Sequence, residues 1–383
     1  MMTRFFLFCT SLLLVGNLAY GQSTLDRLTE FFTVPINKRA VARDSSLYPA
    51  KAILAPVITY SPEASLGLGV GAKFLFKLPG SGEETRTSNL PVSVQYTVQN
   101  KFIIGSSFEI FSNREEWMLS GNFNIQSFPL LYYGIGNNTP LANEEEFDSF
   151  QLLFEPILLK QTPIRYLFVG AGLRYNHVTD VKLQPEGLLE NSTQEGVNGF
   201  TSGGVELALV YDNRDNLLNA TKGWYAEITH GFYDQALGST QQFQLTRFDI
   251  RSFIQPFKNL TDVIGIQFKG HFTTGNAPLR ELAMLGGEEI MRGYYEGRFV
   301  DRHLMTLQTE YRKNIWGRLG AVAFVSVGQV ADQLQNFSFD GVKVAGGIGL
   351  RFLLDKKENL NIRLDWGFNN ESNNYYLNVA EAF

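Results

Sequence analysis

Period-two alternation, held over segments of about ten residues and repeated along most of the chain, is what most narrows the folds open to this sequence. From Leu360 to Phe368, the residues Leu360, Ile362, Leu364, Trp366 and Phe368 fall on one side of an extended strand, and Asn361, Arg363, Asp365 and Gly367 fall on the other. Met305, Leu307, Thr309 and Tyr311 alternate in the same way with Gln308, Glu310 and Arg312, as do Val205, Leu207, Leu209 and Tyr211 with Glu206, Ala208 and Asp212. Successive side chains of a strand point to opposite faces, so each segment offers one surface to lipid and one to water. A soluble sandwich alternates too, but its strands average about five or six residues. These segments run to about ten or more, the length a tilted strand needs to cross a bilayer.

The alternation predicts strands near 52–60, 65–77, 90–99, 102–112, 115–127, 146–160, 163–177, 201–212, 222–234, 240–257, 260–273, 301–314, 317–330, 340–354, 358–370 and 374–383. About sixteen strands, an even number, make a transmembrane antiparallel up-and-down β-barrel with both ends on one side of the membrane. Closure matters because lipid cannot hydrogen-bond an orphan peptide group. Short turns are expected at Asn100, Asn113-Arg114 and Gln161-Thr162. Longer stretches at Pro79 to Asn89, Asn137 to Glu145, Val178 to Gly199 and Thr274 to Val300 are expected to face outward.

The first residues read as an export signal. Arg4 supplies the positive charge, Phe5 to Val15 a short apolar run, and Ala19-Tyr20-Gly21 small residues at the two positions a signal peptidase reads, with cleavage before Gln22. The division is then 1–21 signal peptide, 22–51 short periplasmic segment with an amphipathic turn at Leu25 to Phe32, and 52–383 outer-membrane barrel. Cys9, the one cysteine, lies in the signal, so the mature chain has no thiol for a disulfide or for catalysis.

Other chemistry finds little support. A net charge of −5 with acids and bases intermixed gives no basic stripe for nucleic acid. Glu144-Glu145-Glu146 with Asp148 reads as a solvated loop rather than a calcium site. His177, His230, His271 and His303 are scattered without ligand spacing. Gly67-Leu68-Gly69-Val70-Gly71 lies in a strand pattern and lacks a lysine and a following helix, so its glycines read as sites of strand curvature or room inside the lumen. No nucleophile-elbow sequence appears. The reading has no catalytic, cofactor or metal residue and no enzymatic activity.

One segment says more than "barrel". Leu282 to Arg312 reads LAMLGGEEIMRGYYEGRFVDRHLMTLQTEYR, a long glycine-rich loop between two strands, with Arg292, Gly293 and Tyr294 at its centre. The ordinary reading of Arg292 is a solvated loop charge. An arginine can instead be buried in a polar lumen if a carboxylate pairs with it, and Glu310 faces inward on the following strand.

With this loop the chain resembles the BamA/TamA family of outer-membrane assembly barrels, also called the bacterial surface antigen superfamily. MRGY at Met291 to Tyr294 is similar to the family's sixth-loop motif, whose arginine folds back to acidic residues on the lumen wall, and Glu310 in LQTEYR stands at the matching position. Asp212, Arg214 and Asp215, followed by Gly223, resemble its strand-to-turn signature, and YYGIGN at Tyr132 to Asn137 also looks familial. Tyr375, Leu377, Val379 and Phe383 resemble the aromatic-ended signal on a barrel's last strand. The resemblance runs from about residue 52 to Phe383.

Three positions depart from the pattern. Ser326 stands where the family usually has an aspartate, which leaves the loop arginine to Glu310 alone. Ala220 replaces a common proline. The stretch Gln22 to Ala50 is too short for the periplasmic POTRA domains. The resemblance implies a barrel with its long loop folded into the lumen and weakly paired first and last strands. It implies help with inserting or translocating proteins or lipids, and as partners outer-membrane lipid, periplasmic or outer-membrane assembly proteins and unfolded clients. The alternatives from the residues themselves are a passive pore or transporter, and a surface-exposed structural barrel.

Overall fold

The computed structural model describes residues 33–43, 48–62, 65–257, 261–356 and 359–383. The signal read at 1–21 and the turn read at Leu25 to Phe32 lie outside the described residues. A short strand β1 (Thr33–Pro35) and one helix α1 (Lys38–Arg43) precede the main sheet. Then follow β2 (Lys51–Ser61), β3 (Ser65–Phe76), β4 (Ser88–Thr97), β5 (Phe102–Phe111), β6 (Trp117–Tyr132), β7 (Glu145–Gln161) and β8 (Leu167–Lys182). Next are β9 (Phe200–Asp212), β10 (Gly223–Tyr233), β11 (Phe243–Ile254), β12 (Val263–Gly275), β13 (Ala283–Leu285) and β14 (Phe299–Asp301). The last are β15 (His303–Trp316), β16 (Leu319–Ala331), β17 (Lys343–Asp355), β18 (Leu360–Phe368) and β19 (Asn373–Val379).

Of these nineteen strands, β13 and β14 pair only with each other and β1 pairs along the start of β2; the other sixteen close into one antiparallel barrel. Each barrel strand pairs with its sequence neighbours, which is the up-and-down order the alternation predicts. Closure falls between β19 and β2, where the described residues register through a single pair, Leu377 with Tyr60. β19 at this seam has 7 residues, whereas β6 to β8 run to 16 or 17.

The walls are the reverse of a soluble protein's. Val70 is 68% exposed and Leu207 57% exposed on the outer face, whereas Glu206, Glu310 and Asp365 are completely buried on the inner one. Buried charge and a belt of exposed aliphatic side chains together require an apolar medium outside and a polar packed interior. Trp117, Trp224 and Trp316 sit exposed at strand ends on the side where β2 begins and β19 finishes, where tryptophan marks the interface of a membrane barrel. We call this side the turn end and the opposite side the loop end.

Strand parity overrules two expectations about the connections. The stretch Pro79 to Asn89 does not emerge on the side of the other long loops. It joins β3 to β4 at the turn end, where Arg86 meets Glu115 at 2.9 Å and Asp212 at 2.6 Å. The tight turn at Asn100 lies instead at the loop end. In an up-and-down barrel the ordinal number of a strand fixes the end at which its connection emerges, and loop length has no vote.

One result follows for the wall. Val70→Arg puts a guanidinium on the lipid face of β3 and is expected to destabilise the barrel by about 2–4 kcal/mol near mid-bilayer. Ser107→Arg, at a position lining the inner cavity, is expected to fold normally. Folding yield into lipid vesicles, read from the heat-modifiable gel band, compares the two; equal yields would contradict the assignment of faces.

Candidate functional site

The connection between β12 and β15 turns back into the barrel instead of standing above it. Its two short strands form a hairpin in register Ala283 with Asp301 and Leu285 with Phe299. Leu285, Met291, Tyr294, Phe299, Leu304 and Val330 pack into one apolar cluster around it. The hairpin tip bends sharply at Gly286 and Gly287, with φ of +114° and +106°, a region glycine enters without steric cost. That bend aims Arg292 at the wall.

Arg292 is fully buried. It donates to Asp365 at 2.5 Å through Nη1 and to Glu310 through Nη2, and its guanidinium lies 3.7 Å from the centre of the Phe324 ring. The expectation that Glu310 is its only partner is therefore corrected: Asp365 on β18 supplies the second carboxylate. Ser326, at the position the family usually gives to an aspartate, donates to the carbonyl of Ala345 at 3.4 Å. Asp365 belongs to the water-facing set of the best alternating segment, so its side was legible and its partner was not.

The two carboxylates are themselves shared. Arg312 donates to Glu310 at 2.9 Å; Arg351 reaches Asp365 at 2.5 Å and Glu381 at 2.7 Å; Arg363 lies 3.5 Å from Asp365. Such sharing makes a buried charge tolerable, because each ion has a partner and hydrogen bonds. The backbone beside Arg292 is held too. Gly293 N–H donates to the Tyr376 hydroxyl at 3.0 Å, and its carbonyl accepts from Ser372 at 2.8 Å and Asn374 at 2.6 Å. The Tyr294 hydroxyl donates to Asn370 at 3.0 Å. The loop thus grips the β18–β19 hairpin, which forms one side of the seam.

The other singled-out residues lie elsewhere. Asp212 accepts from Arg86 at 2.6 Å and from Arg214 at 2.8 Å, while Asp215 accepts from Thr221 and Lys222 and closes the β9–β10 turn. Gly223 has φ +104°, and a side chain there would strike the carbonyl of Asn213 at 2.6 Å. This signature is a rigid turn at the turn end, with no contact to Arg292 among the described residues. In YYGIGN, the Gly136 N–H donates to Val300 at 2.7 Å and Asn137 donates to Gly341 at 2.7 Å, tying three loop-end connections together.

The last strand is shorter than the expected 374–383. Tyr375 stays on the outer wall, stacked on Trp366 at 6.0 Å, and Leu377 forms the seam pair. β19 stops at Val379, and Ala380 takes φ +75°. Glu381 then bonds Arg351, and Phe383 packs inside against Ala220, Phe253 and Val263 while its carbonyl accepts from Arg312 at 2.8 Å. Paired arginines inside the barrel draw the chain off the alternation that would have put Phe383 on the outer wall.

Two inner features had no sequence signal. Beneath the loop lies a cavity of about 600 Å³ lined by both signs of charge, including Glu109, Arg214, Arg247 and Asp249. Across the lumen, Glu281 in the same loop pairs with Arg174 of β8 at 2.7 Å. The acid run at Glu144 to Glu146 divides among separate partners, with Glu144 accepting from Tyr133 and Glu145 from the Leu189 N–H.

The Omp85 superfamily domain matches residues 69–379 of the sequence. The chain belongs to the Omp85 superfamily. Among solved structures, BamA from Haemophilus ducreyi lacking POTRA domains 1-3 is similar over 86% of this chain and 70% of its own, at 12% identity and a TM-score of 0.55. CdiB from Acinetobacter baumannii is similar over 88% of this chain and 60% of its own, at 12% identity and a TM-score of 0.55. At that identity the likeness is one of fold, and the chain spans less than two thirds of CdiB. A comparison with curated proteins returns no match. The chain is a β-barrel of that superfamily, and its inward loop and the four arginines around Glu310 and Asp365 lie within the matched residues.

Proposed function

We propose that this Omp85 barrel assists the insertion or translocation of proteins or lipids at the outer membrane, with the Arg292 loop acting as a lock and the β19–β2 seam as the part of the wall that yields. The observation that carries the reading is their connection. The loop is bound to the β18–β19 hairpin by Arg292, Gly293 and Tyr294, and among the described residues that hairpin meets β2 through one registered pair. A strand edge in lipid leaves peptide groups without partners, so a seam so lightly paired is a place where another extended chain gains hydrogen bonds on entering.

In this reading residues 1–21 are a signal peptide, 22–51 a short periplasmic segment and 52–383 the barrel, with the loop end outside the cell. Outer-membrane lipid surrounds it, and separate periplasmic or outer-membrane assembly proteins deliver unfolded clients. No catalytic step is assigned. Tyr375, Leu377, Val379 and Phe383 serve as the barrel's own assembly signal, and Asp212, Arg214, Asp215 and Gly223 hold a turn against it.

A disulfide between Tyr60→Cys and Leu377→Cys tests the reading. Under oxidising conditions it is expected to reduce the amount of folded outer-membrane protein or lipid that the barrel handles, and reduction is expected to restore it. Co-purification of the full chain from membranes in mild detergent should recover a client or a periplasmic partner. Unchanged outer-membrane composition with the seam sealed, together with recovery of the barrel alone, would refute it. The polar cavity of about 600 Å³ favours a second reading, a solute pore; large steady currents across a planar bilayer would favour that one.

A further inference from the structure

The inward loop is fastened at two places, on opposite walls and with opposite polarity. At its tip, an arginine of the loop reaches carboxylates of β15 and β18. Near its start, in the turn Leu279–Glu281, a carboxylate of the loop reaches cations of the wall. Glu281 is 1% exposed. It accepts from Arg174 at 2.7 and 2.8 Å and from Asn176 at 2.7 Å, and its carbonyl faces His271 Nε2 at 2.9 Å. Arg174 continues to Glu155 at 2.9 Å, and Arg247 joins Glu155 at 3.1 Å to Glu206 at 2.9 Å.

What lies around each fastening differs. Leu279 and Leu282 beside Glu281 pack in the apolar cluster that also holds Leu130, Tyr132, Leu189 and Leu245. The Leu279 N–H donates to the Glu195 carbonyl at 2.8 Å, and Gln194 donates to the Ala277 carbonyl at 2.8 Å. This part is tied to the β8–β9 connection at the loop end. The tip, by contrast, is set off from it by the Gly286-Gly287 bend.

We infer that the loop is two parts, a cap held on the β8 wall by Glu281 and a tip held by Arg292, and that Glu281 with Arg174 are the positioning residues which decide whether the lumen is closed. The tip governs the β18–β19 side of the seam, and the cap governs passage along the axis. This deepens the reading of the loop as a lock and rests on it, yet the two fail separately. A barrel that handles no client would defeat the proposed function and leave the cap untouched.

The test uses the purified full chain in planar lipid bilayers. Glu281→Gln, which keeps the size and a hydrogen-bonding group but removes the charge, is expected to raise conductance further than Arg292→Gln does, and several-fold above the unmodified level. Adding Leu279→Cys and Glu195→Cys to Glu281→Gln pins the cap by a disulfide and is expected to return the current to that level until reductant is added. A purely structural role for Glu281 would not give this redox reversal. Should Glu281→Gln give no folded, heat-modifiable band, Asn176→Ala, which weakens the same seat without changing charge, takes its place. Low conductance in a folded seat variant overturns the inference, as does Arg292→Gln opening the barrel as far as Glu281→Gln.

Discussion

Asp365→Asn lowers the temperature at which the folded barrel is lost on a semi-native gel further than Arg292→Gln does. Removing the loop arginine is the obvious injury, but the charge balance of its surroundings predicts the opposite order. Arg292, Arg312, Arg351 and Arg363 share the buried Glu310, Asp365 and Glu381, and Arg363 also reaches the partly exposed Glu288 at 3.6 Å. Without Arg292, three guanidiniums face three buried carboxylates, and Glu310 and Asp365 keep Arg312 and Arg351. The loss is then that of charged hydrogen bonds, about 1.5–3 kcal/mol. Without the charge of Asp365, four guanidiniums share two buried carboxylates and the partly exposed Glu288, and Arg292, Arg351 and Arg363 lose their common partner. Leaving buried charge uncompensated costs about 3–5 kcal/mol. Adding Arg292→Gln to Asp365→Asn should then recover part of the loss. Equal melting of the two single variants, or a double variant worse than the sum of both, would show that the network does not share charge in this way.

Gly367→Ala is expected to reproduce the effect of losing Arg292 without touching any charge. Gly367 and Gly293 face each other where the loop crosses β18. A methyl group on Gly367 would stand 2.6 Å from the Arg292 carbonyl carbon and 2.7 Å from the Gly293 nitrogen, both backbone atoms with little freedom to give. Gly367 lies inside the regular pairing of β17 with β18 and is not among the residues of positive φ, so alanine fits the strand itself and the whole effect falls on the approach of the loop. Overpacking of this kind costs about 1–3 kcal/mol. Because both substitutions undo one docking, Gly367→Ala combined with Arg292→Gln should melt little below the worse single variant, as coupled sites do. Full additivity would mean that Gly367 acts elsewhere. A Gly367→Ala barrel as heat-resistant as the parent would mean the loop does not approach β18 so closely.

Much of this was readable from single residues. The alternation through Val205–Asp212, Met305–Arg312 and Leu360–Phe368 put lipid-facing and lumen-facing side chains on their correct sides, because a strand has only two faces. The pairing of Arg292 with Glu310 came from the family-like loop and the same alternation. Asp365 escaped because nothing in its own segment shows which distant loop will be folded onto it. Phe383 escaped for a related reason. Its position in the pattern was right for an outer wall, but Arg312 and Arg351, brought together from other strands, pull the chain inward after Val379.

The chain's own order of apolar and polar residues, with turns between, determined that it forms a closed barrel of sixteen strands with a polar interior, since that pattern is local and each strand reads it independently. Only the tertiary structure decided which ions share which partners, that the inward loop is fastened at Glu281 as well as Arg292, and that the seam is held so lightly. Those outcomes depend on charges and backbone atoms far apart in sequence meeting in one enclosed space, and neither periodicity nor composition carries that distance.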